Sequence, residues 1–261
     1  MKRTPITAPL PDLPAVIRPF AEGAVIFDSS CSPEARVWFL DKGPGFYLKS
    51  APKDTLKIEA ELTGWYASKG LAPEVIAYES SERDWFLTRA ARGEDCTHPD
   101  YMADPQRLCD TTALLLRQLH DTDFSGCPVP NRMDAYRNTA RANYRTGHYD
   151  TSLFPDNWGY ASAEEAWAVI ESQGHLLQAD TLLHGDYCLP NIMLEDWRFS
   201  AFIDLGGGGV GDRHIDLFWG CWSLFFNLKT DAYRERFLDV YGRDRVEAEK
   251  LPIIAAYEVF G

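Results

Sequence analysis

The most informative part of this sequence is LLHGDYCLPNIMLEDWRFSAFIDLGGGGVGDRHIDL, residues 182–217. It places Asp186 and Asn191 five residues apart in one predicted turn, and Asp204 and Gly206 follow at the end of the next apolar, strand-like run. Isolated HGD or DLG triplets occur by chance, but the ordered pair with a hydrophobic segment between them is far more specific. This arrangement supplies the polar groups that phosphoryl transfer requires.

Each of these residues has a chemical reason to be a candidate. Asp186 is the candidate catalytic base, because a carboxylate on a rigid loop can align a hydroxyl group and accept its proton. Asn191 is a neutral oxygen donor and Asp204 an anionic one, and both suit Mg²⁺. Taken alone, Asp186 also fits a turn or cap residue, which is the commonest role of aspartate.

A second group of candidates precedes this stretch. Lys49 ends the strand-like run FYLK, and Glu59 lies ten residues later on a predicted helix. A strand lysine can reach phosphate oxygens while a helix carboxylate holds its ammonium group, with Glu61 as the rival partner. No glycine-rich loop or Walker A motif is present. The turn that would cover phosphates is DSSCSPEAR, residues 28–36, which is equally compatible with an ordinary β-turn.

Composition excludes several classes of protein. The net charge of −13 disfavours nucleic acids and anionic membranes and would favour a polycationic ligand, although solubility alone also explains it. The six cysteines show no CxxC pairing, which favours free thiols in a reducing compartment. No signal-peptide pattern is seen, and the apolar run 217–228 is too short to span a bilayer. We therefore expect a cytoplasmic protein.

Local patterns predict two regions. Strand signals at 37–40, 46–49, 75–80 and 84–90 and a helix over 54–69 fill the first region, residues 1–92. In residues 93–261, we predict short strands at 192–194 and 199–203. The predicted helices there cover 104–120, 134–147, 162–173, 214–228, 231–241 and 246–260. The sequence therefore predicts an α+β, bilobal architecture: an antiparallel sheet lobe and a larger, mostly helical lobe.

HGDYCLPN, FIDLG and GDRHIDL, preceded by a lysine strand and a helix glutamate, resemble the aminoglycoside phosphotransferases of the kanamycin and neomycin 3′-type. The resemblance covers almost the whole chain and implies a protein-kinase-like fold. It implies an ATP-dependent kinase, with GTP as an alternative nucleotide, that uses Mg²⁺ and phosphorylates a cationic aminoglycoside. It further implies a monomer or weak dimer without nucleic-acid or membrane partners, and a role in antibiotic resistance.

The same resemblance assigns roles to residues. Asp186 would be the base, Asn191 and Asp204 the Mg²⁺ ligands, and Lys49, braced by Glu59, the ligand of the α- and β-phosphates. The remaining assignments are Ser32 over the phosphates, the backbone of Arg89 and Ala91 at the adenine edge, and Glu258, Asp231 and Asp156 at the ammonium groups of the drug.

The sequence departs from the family pattern at positions that bear on which acceptor is phosphorylated. Four glycines, Gly206 to Gly209, stand where an arginine usually follows the motif, and we expect a more mobile loop there. The chain ends Phe260–Gly261 instead of in paired phenylalanines, and helix 214–228 is unusually aromatic. Two alternatives stay open: a kinase of another hydroxylated metabolite with the same catalytic residues, and a nucleotide-binding module without turnover.

Overall fold

The computed structural model describes residues 3–7, 10–31, 35–152, 154 and 158–261. Ser32 and Asp156, two of the predicted site residues, lie outside these ranges. The chain divides into two compact units. Unit 1 comprises Met1–His98 and Pro190–Gly206, and unit 2 comprises Pro99–Leu189 and Gly207–Gly261. Segment 190–206, which the predicted boundary at residues 92/93 places in the helical region, thus packs with the first unit.

In the described part of unit 1, six antiparallel strands form a sheet in the order β1-β2-β3-β4-β6-β5. They are β1 (Thr4–Pro5), β2 (Val25–Asp28), β3 (Arg36–Asp41), β4 (Phe46–Pro52), β5 (Val75–Ser80) and β6 (Arg83–Arg89). A short helix, α1 (Arg18–Ala21), precedes β2. Alternate side chains of the central strands, including Leu40, Leu48 and Leu87, are fully buried in one core cluster. Apolar residues at alternate positions therefore give one covered face, as the strand pattern predicts.

Helix α2 (Lys57–Ser68) packs on this sheet, where Ala60 and the N-cap residue Leu56 share a core cluster with Phe86. The carboxylate of Asp84 accepts the N–H groups of Asp54 and Leu56, at 3.0 and 2.8 Å. Because a neighbouring strand holds the N–H groups just before the first turn, the helix begins at Lys57 and not at the predicted residue 54.

A second, three-stranded sheet in unit 1 carries the segment 190–206. Its order is β10-β9-β7, formed by β7 (Glu94–Asp95), β9 (Ile192–Glu195) and β10 (Arg198–Phe202). The turn between β9 and β10 consists of Asp196 and Trp197, both with positive φ, which is the two-residue hairpin geometry that matches strand twist. Pairing of β9 with β7 is the reason that this hairpin belongs to the first unit.

Unit 2 is built mainly from helices. They are α3 (Pro99–Met102), α4 (Pro105–His120), α5 (Arg132–Thr146), α6 (Ala163–Gln173), α7 (His214–Leu228), α8 (Arg234–Gly242) and α9 (Leu251–Glu258). The side chains of Asp104, Asn131 and Ser162 cap α4, α5 and α6 by accepting backbone N–H groups, as residues of these types do at N-termini. The predicted last helix is shorter than expected, because a 3₁₀ turn at Ala248–Lys250 precedes Leu251.

The aromatic run 217–228 forms all of α7 after its first three residues, and Leu217, Phe218, Cys221, Trp222 and Leu224 are buried. In the described ranges, no helix has the length and apolarity that crossing a membrane would need. The predicted helix is thus present as α7, and its apolar run belongs to the core of unit 2.

Two three-residue strands of unit 2, β8 (Thr181–Leu183) and β11 (Gly209–Gly211), pair antiparallel and escape the sequence prediction. Leu182 and Val210 are buried at the centre of this pair. The four-glycine run therefore leads into an ordered strand, and Gly208 and Gly209 are buried. Gly209 has φ +124°, and a Cβ there would lie 2.8 Å from the Cβ of Val129.

Gly209→Ala is expected to destabilise the protein by about 2 kcal/mol or more, because a buried methyl group would meet Val129 in a conformation that L-residues avoid. Gly43→Ala is the matched control, since Gly43 also has positive φ (+59°) but open space around the added Cβ. Urea unfolding of both variants measures the difference. An equal loss of stability in the two variants would contradict a clash with Val129 as the cause at Gly209.

Candidate active site

The ammonium group of Lys49 lies between two carboxylates in unit 1. Its Nζ is 3.0 and 2.8 Å from the two oxygens of Glu59 and 2.9 Å from Oδ1 of Asp204. Lys49 comes from β4, Glu59 from α2, and Asp204 follows β10. Glu61, the rival partner, instead lies on the exposed side of α2 at 3.9 Å from Lys57.

Burial and neighbouring charges shift the pKa values of both Lys49 and Glu59. Burial by itself would lower the pKa of Lys49, but the carboxylates of Asp204 and Glu59 outweigh it and raise that pKa. Burial raises the pKa of Glu59, against the opposing effect of Lys49. The side chain of Glu59 is only 10% exposed, whereas that of Asp204 is 53% exposed. Asp204 is thus the carboxylate of this cluster that is open to a ligand.

Hairpin register brings Asn191 and Asp204 to the same end of the second sheet. Ile192 pairs with Phe202, so the residues just outside this pair meet: the N–H of Ile203 donates to the carbonyl of Asn191 at 3.0 Å. Asp204 follows at once, with φ +59°. An amide and a carboxylate held side by side form an oxygen donor set that fits a hard cation such as Mg²⁺.

A cavity of about 280 Å³ opens beside these groups in unit 1. Lys49, Glu59, Asn191 and Asp204 line one part of it, and its apolar lining comes from β3, β6 and neighbouring segments. Those apolar residues are Ala35, Val37, Pro73, Phe86, Ala91, Pro190 and Ile203. The cavity thus combines an apolar wall with a charged end.

Arg89 and Ala91 line the same cavity. The N–H of Ala90 between them donates to the carbonyl of Gly45, at 3.0 Å. Because backbone groups of successive residues in an extended chain point to opposite sides, those of Arg89 and Ala91 point away from β4. The N–H of Arg89 is bonded to the carbonyl of Glu74, at 2.9 Å. The carbonyl of Arg89 and the N–H of Ala91 are the groups that suit a planar heterocycle.

In unit 2, Asp186 sits on a loop that a buried carboxylate holds. Asp216 of α7 is fully buried and accepts the N–H of His184 at 2.7 Å and that of Gly185 at 2.8 Å. Gly185 has φ +83°, and a Cβ there would lie 1.9 Å from the carbonyl oxygen of Gly207. The loop before Asp186 is therefore fixed by charge-assisted hydrogen bonds and by backbone packing that tolerates no side chain.

Asp216 has a third partner, His120 of α4. Nε2 of His120 lies 3.2 Å from Asp216, and Nδ1 lies 2.9 Å from the hydroxyl of Tyr241 in α8. Because a carboxylate accepts, Nε2–H donates to Asp216, and Nδ1 accepts from Tyr241. Burial lowers the pKa of His120. The neutral imidazole thus connects α8 through α4 to the loop of Asp186.

Cys188 and Glu258 are electrostatic neighbours of Asp186 within unit 2. Burial, reinforced by the charge of Asp186, raises the pKa of the Cys188 thiol well above its ordinary value. Glu258, at the end of α9, is buried and has its pKa raised to about 7, mainly by burial and also by Asp186. The charge of the predicted base therefore acts on one predicted drug-binding carboxylate.

Of the two other predicted drug-binding residues, the structure describes Asp231. Asp231 is exposed in the turn between α7 and α8, where its carbonyl accepts the N–H of Arg234. Asp156 and Ser32 fall outside the described residues. The backbone of Asp231 thus helps to start α8, while its carboxylate is exposed.

Sequence reasoning missed the residues that hold the loop and the carboxylates. Asp216 belongs to the quoted motif GDRHIDL but received no role, and His120 received none either. The signal that could have found Asp216 and His120 is their type: charged or ionisable residues on helix faces that are otherwise apolar, where burial demands a partner. The partners of Asp216 are far away in sequence, because His120 is 96 residues from it and Gly185 is 31 residues from it.

An antiparallel sheet with a lysine–glutamate pair beside a carboxylate, in a chain whose helical unit carries the HGD loop, defines the class of protein-kinase-like phosphotransferases. Within that class the chain belongs to the aminoglycoside phosphotransferase family, since the model of the phosphotransferase enzyme family (APH) matches residues 32–251. The predicted family and the predicted α+β, kinase-like fold are confirmed.

Individual relatives agree with this assignment. The chain is 45% identical to a probable aminoglycoside 3′-phosphotransferase of Lactococcus lactis over 95% of both chains. It is 28% identical to an aminoglycoside 3′-phosphotransferase of Niallia circulans, over 80% of this chain and 81% of the relative. Among solved structures, an aminoglycoside-3′-phosphotransferase of type VIII superposes with a TM-score of 0.75 at 24% identity, covering 94% of this chain and 98% of that one.

Asp216→Asn is expected to lower stability by about 1–3 kcal/mol, because an amide presents one acceptor oxygen to two backbone N–H groups and leaves one of them unsatisfied. Urea unfolding measures this loss. Asp239→Asn, at an exposed aspartate of α8 paired with Arg243, is the control and should stay within about 0.5 kcal/mol of the native protein. Native stability of Asp216→Asn would refute the role of Asp216 in holding the loop.

Proposed function

We propose that this chain is an ATP-dependent phosphotransferase that moves the γ-phosphate to a hydroxyl group of an aminoglycoside, the 3′-hydroxyl of kanamycin- and neomycin-type drugs, and so confers antibiotic resistance. The contact of Lys49 with Glu59 and Asp204 beside an apolar-walled cavity is the observation that carries it. The 45% identity to a probable aminoglycoside 3′-phosphotransferase supports the acceptor class.

Unit 1 binds the nucleotide in this proposal. The ammonium group of Lys49, held by Glu59, contacts the phosphates, and the backbone of Arg89 and Ala91 contacts the base, with GTP as the alternative to ATP. Ser32 would cover the phosphates. A related phosphotransferase from Streptomyces rimosus, with a TM-score of 0.68 at 22% identity, covers 87% of this chain and 91% of its own and was solved with ADP and streptomycin.

Asn191 and Asp204 would hold Mg²⁺, since their oxygen atoms form a suitable donor pair. The metal ion would neutralise charge on the phosphates. Asp204 also contacts Lys49, so this carboxylate would turn from the lysine toward the cation when the nucleotide is bound. Its exposed fraction of 53% leaves room for that rotation.

Unit 2 binds the acceptor and prepares its hydroxyl group. Asp186 aligns the hydroxyl and accepts its proton, and the buried N–H contacts of its loop keep it in place for this step. Glu258 binds an ammonium group, with Asp231 and Asp156 as further acidic candidates. The net charge of −13 favours approach of a polycation.

The protein would act in the cytoplasm as a monomer or weak dimer, without nucleic-acid or membrane partners. All six cysteines are free, and the buried thiols of Cys96, Cys109 and Cys221 have their pKa values raised by burial. Free thiols of this kind suit a reducing compartment, where ATP is also available.

Lys49→Ala is expected to weaken binding of Mg²⁺-ATP at least tenfold, because it removes the cation that Glu59 and Asp204 orient. Lys57→Ala is the matched control: Lys57 is an exposed lysine of α2 whose partner, Glu61, is 3.9 Å away. Isothermal titration calorimetry with a non-hydrolysable ATP analogue compares the two. Equal affinities would place the nucleotide elsewhere.

Asp186→Ala is expected to abolish transfer while leaving nucleotide affinity nearly unchanged, because Asp186 acts on the acceptor hydroxyl. The assay couples ADP release to a spectroscopic signal with kanamycin, neomycin, gentamicin and a set of amino alcohols as acceptors. Asp244→Ala, at an exposed aspartate of unit 2, should retain native activity.

The acceptor panel separates the proposal from its alternatives. Turnover on kanamycin and neomycin supports an aminoglycoside kinase. Turnover on an amino alcohol alone would indicate a metabolite kinase, and nucleotide binding without any turnover a non-catalytic module. Retained turnover in Asp186→Ala would refute the assignment of the base.

A further inference from the structure

The carboxylate of Glu258 lies among neutral polar groups from two other helices. The hydroxyl of Tyr136 in α5 donates to Oε1 of Glu258 at 2.7 Å. The indole N–H of Trp219 in α7 is a further polar neighbour, which lowers the pKa of this carboxylate. Three helices, α5, α7 and α9, therefore converge on one acidic group that is only 8% exposed.

Tyr136 is itself fixed in place. Its ring stacks on Tyr257, with centroids 4.7 Å apart and planes at 28°. Burial raises the pKa of Tyr136 well above its ordinary value, so its hydroxyl stays protonated and acts as a donor. Trp219 makes a tilted contact with Phe154, with centroids 5.9 Å apart. Both donors are thus rigid aromatic side chains whose orientation costs little entropy on binding.

The surroundings of Glu258 otherwise disfavour its charge. Burial is the largest cause that raises its pKa to about 7, and the negative charge of Asp186 adds to it. The thiol of Cys188, protonated because its own pKa is raised, is the other titratable neighbour from the Asp186 loop. Hydrogen bonds from Tyr136 and Trp219 oppose these effects and lower the pKa of Glu258. Tyr136 and Trp219 therefore set the fraction of Glu258 that is ionised near neutral pH.

We propose that Tyr136 and Trp219 are positioning residues that keep Glu258 ionised and oriented for an ammonium group of the acceptor, and so set acceptor affinity. This inference rests on the proposed function. An ion pair with a substrate ammonium group forms before transfer and persists through it, so it contributes equally to the ground state and the transition state. Loss of either donor should accordingly raise KM and leave kcat nearly unchanged.

Tyr136→Phe tests this directly, since it keeps the ring stacked on Tyr257 and removes only the hydroxyl. KM for kanamycin should rise about tenfold near pH 6.5, in keeping with loss of one hydrogen bond to a charged group, with kcat within about twofold. Loss of the donor raises the pKa of Glu258, so protonation weakens binding at a higher pH. The ratio of variant to native KM should therefore grow as the pH falls from 9 to 6.

Tyr160→Phe is the matched control, because the hydroxyl of Tyr160 donates to the carbonyl of Pro252 in the same unit, at 3.0 Å. It should leave the pH profile of kcat/KM unchanged. Trp219→Phe is the second variant and should act in the same direction as Tyr136→Phe. A rise in KM that is equal at every pH, or a loss confined to kcat, would overturn the inference.

A double-mutant comparison with Glu258→Gln separates positioning from a general structural effect. If Tyr136 acts through Glu258, the hydroxyl deletion should change KM by less than about twofold when residue 258 is already glutamine. The same tenfold effect in that background would overturn the inference.

Failure of the inference and failure of the proposed function give different results. Calorimetric titration of kanamycin into the native protein and Tyr136→Phe, between pH 6 and 9, measures affinity without turnover. Native binding without phosphorylation would refute the proposed function while the affinity ratio still decides the role of Tyr136. Absence of kanamycin binding to the native protein would overturn both.

Discussion

One buried carboxylate, that of Asp216, holds the centre of the helical unit in place. It accepts two consecutive backbone N–H groups and the imidazole N–H of His120, so a loop, α4 and α7 meet at its two oxygens. A buried charge with unsatisfied oxygens would cost several kcal/mol, which makes this set of contacts hard to replace in part. The loop of Asp186 is thus fixed by a group that has no chemical step of its own.

Lys49 illustrates the opposite arrangement. Its ammonium group is also surrounded by carboxylates, but the side chain of Asp204 is half exposed and faces a cavity. Glu59 serves as a permanent partner and Asp204 as one that an incoming ligand can replace. The charge of Asp216 is therefore enclosed by its partners, whereas Asp204 keeps one side open.

Much of the fold follows from local sequence. Strands over 37–40, 46–49, 75–80 and 84–90 and most helices are predictable, because alternation, helical spacing and capping residues are properties of neighbouring amino acids. The three-residue strands β8 and β11 are not, since each is too short to show a period and is stabilised by a partner far away in sequence. The start of α2 likewise depends on Asp84, a residue of another element, so the local sequence could not predict where the helix begins.

For the site, the identity of the polar residues was predictable but their support was not. Residue type and spacing predict Lys49, Glu59 and Asp204, and the structure brings these three residues into contact. Asp216, His120 and Tyr136 act by tertiary contacts between helices, which no local pattern encodes. Glu258 was named from resemblance, while the donors that hold it became visible only in three dimensions.

The pairing of β9 with β10 fixes where Asp204 lies relative to Asn191. The hairpin turn contains two residues, and Ser200 is the extra residue where the register shifts between Phe199 and Ala201. The pairing resumes beyond this bulge, with Ala201 opposite Met193 and Phe202 opposite Ile192. The bulge therefore absorbs the extra residue, and the pairing frame of the hairpin, not the number of residues between them, sets Asp204 beside Asn191. Deleting Ser200 would keep that frame and remove only the bend and added twist that a bulge gives its strand.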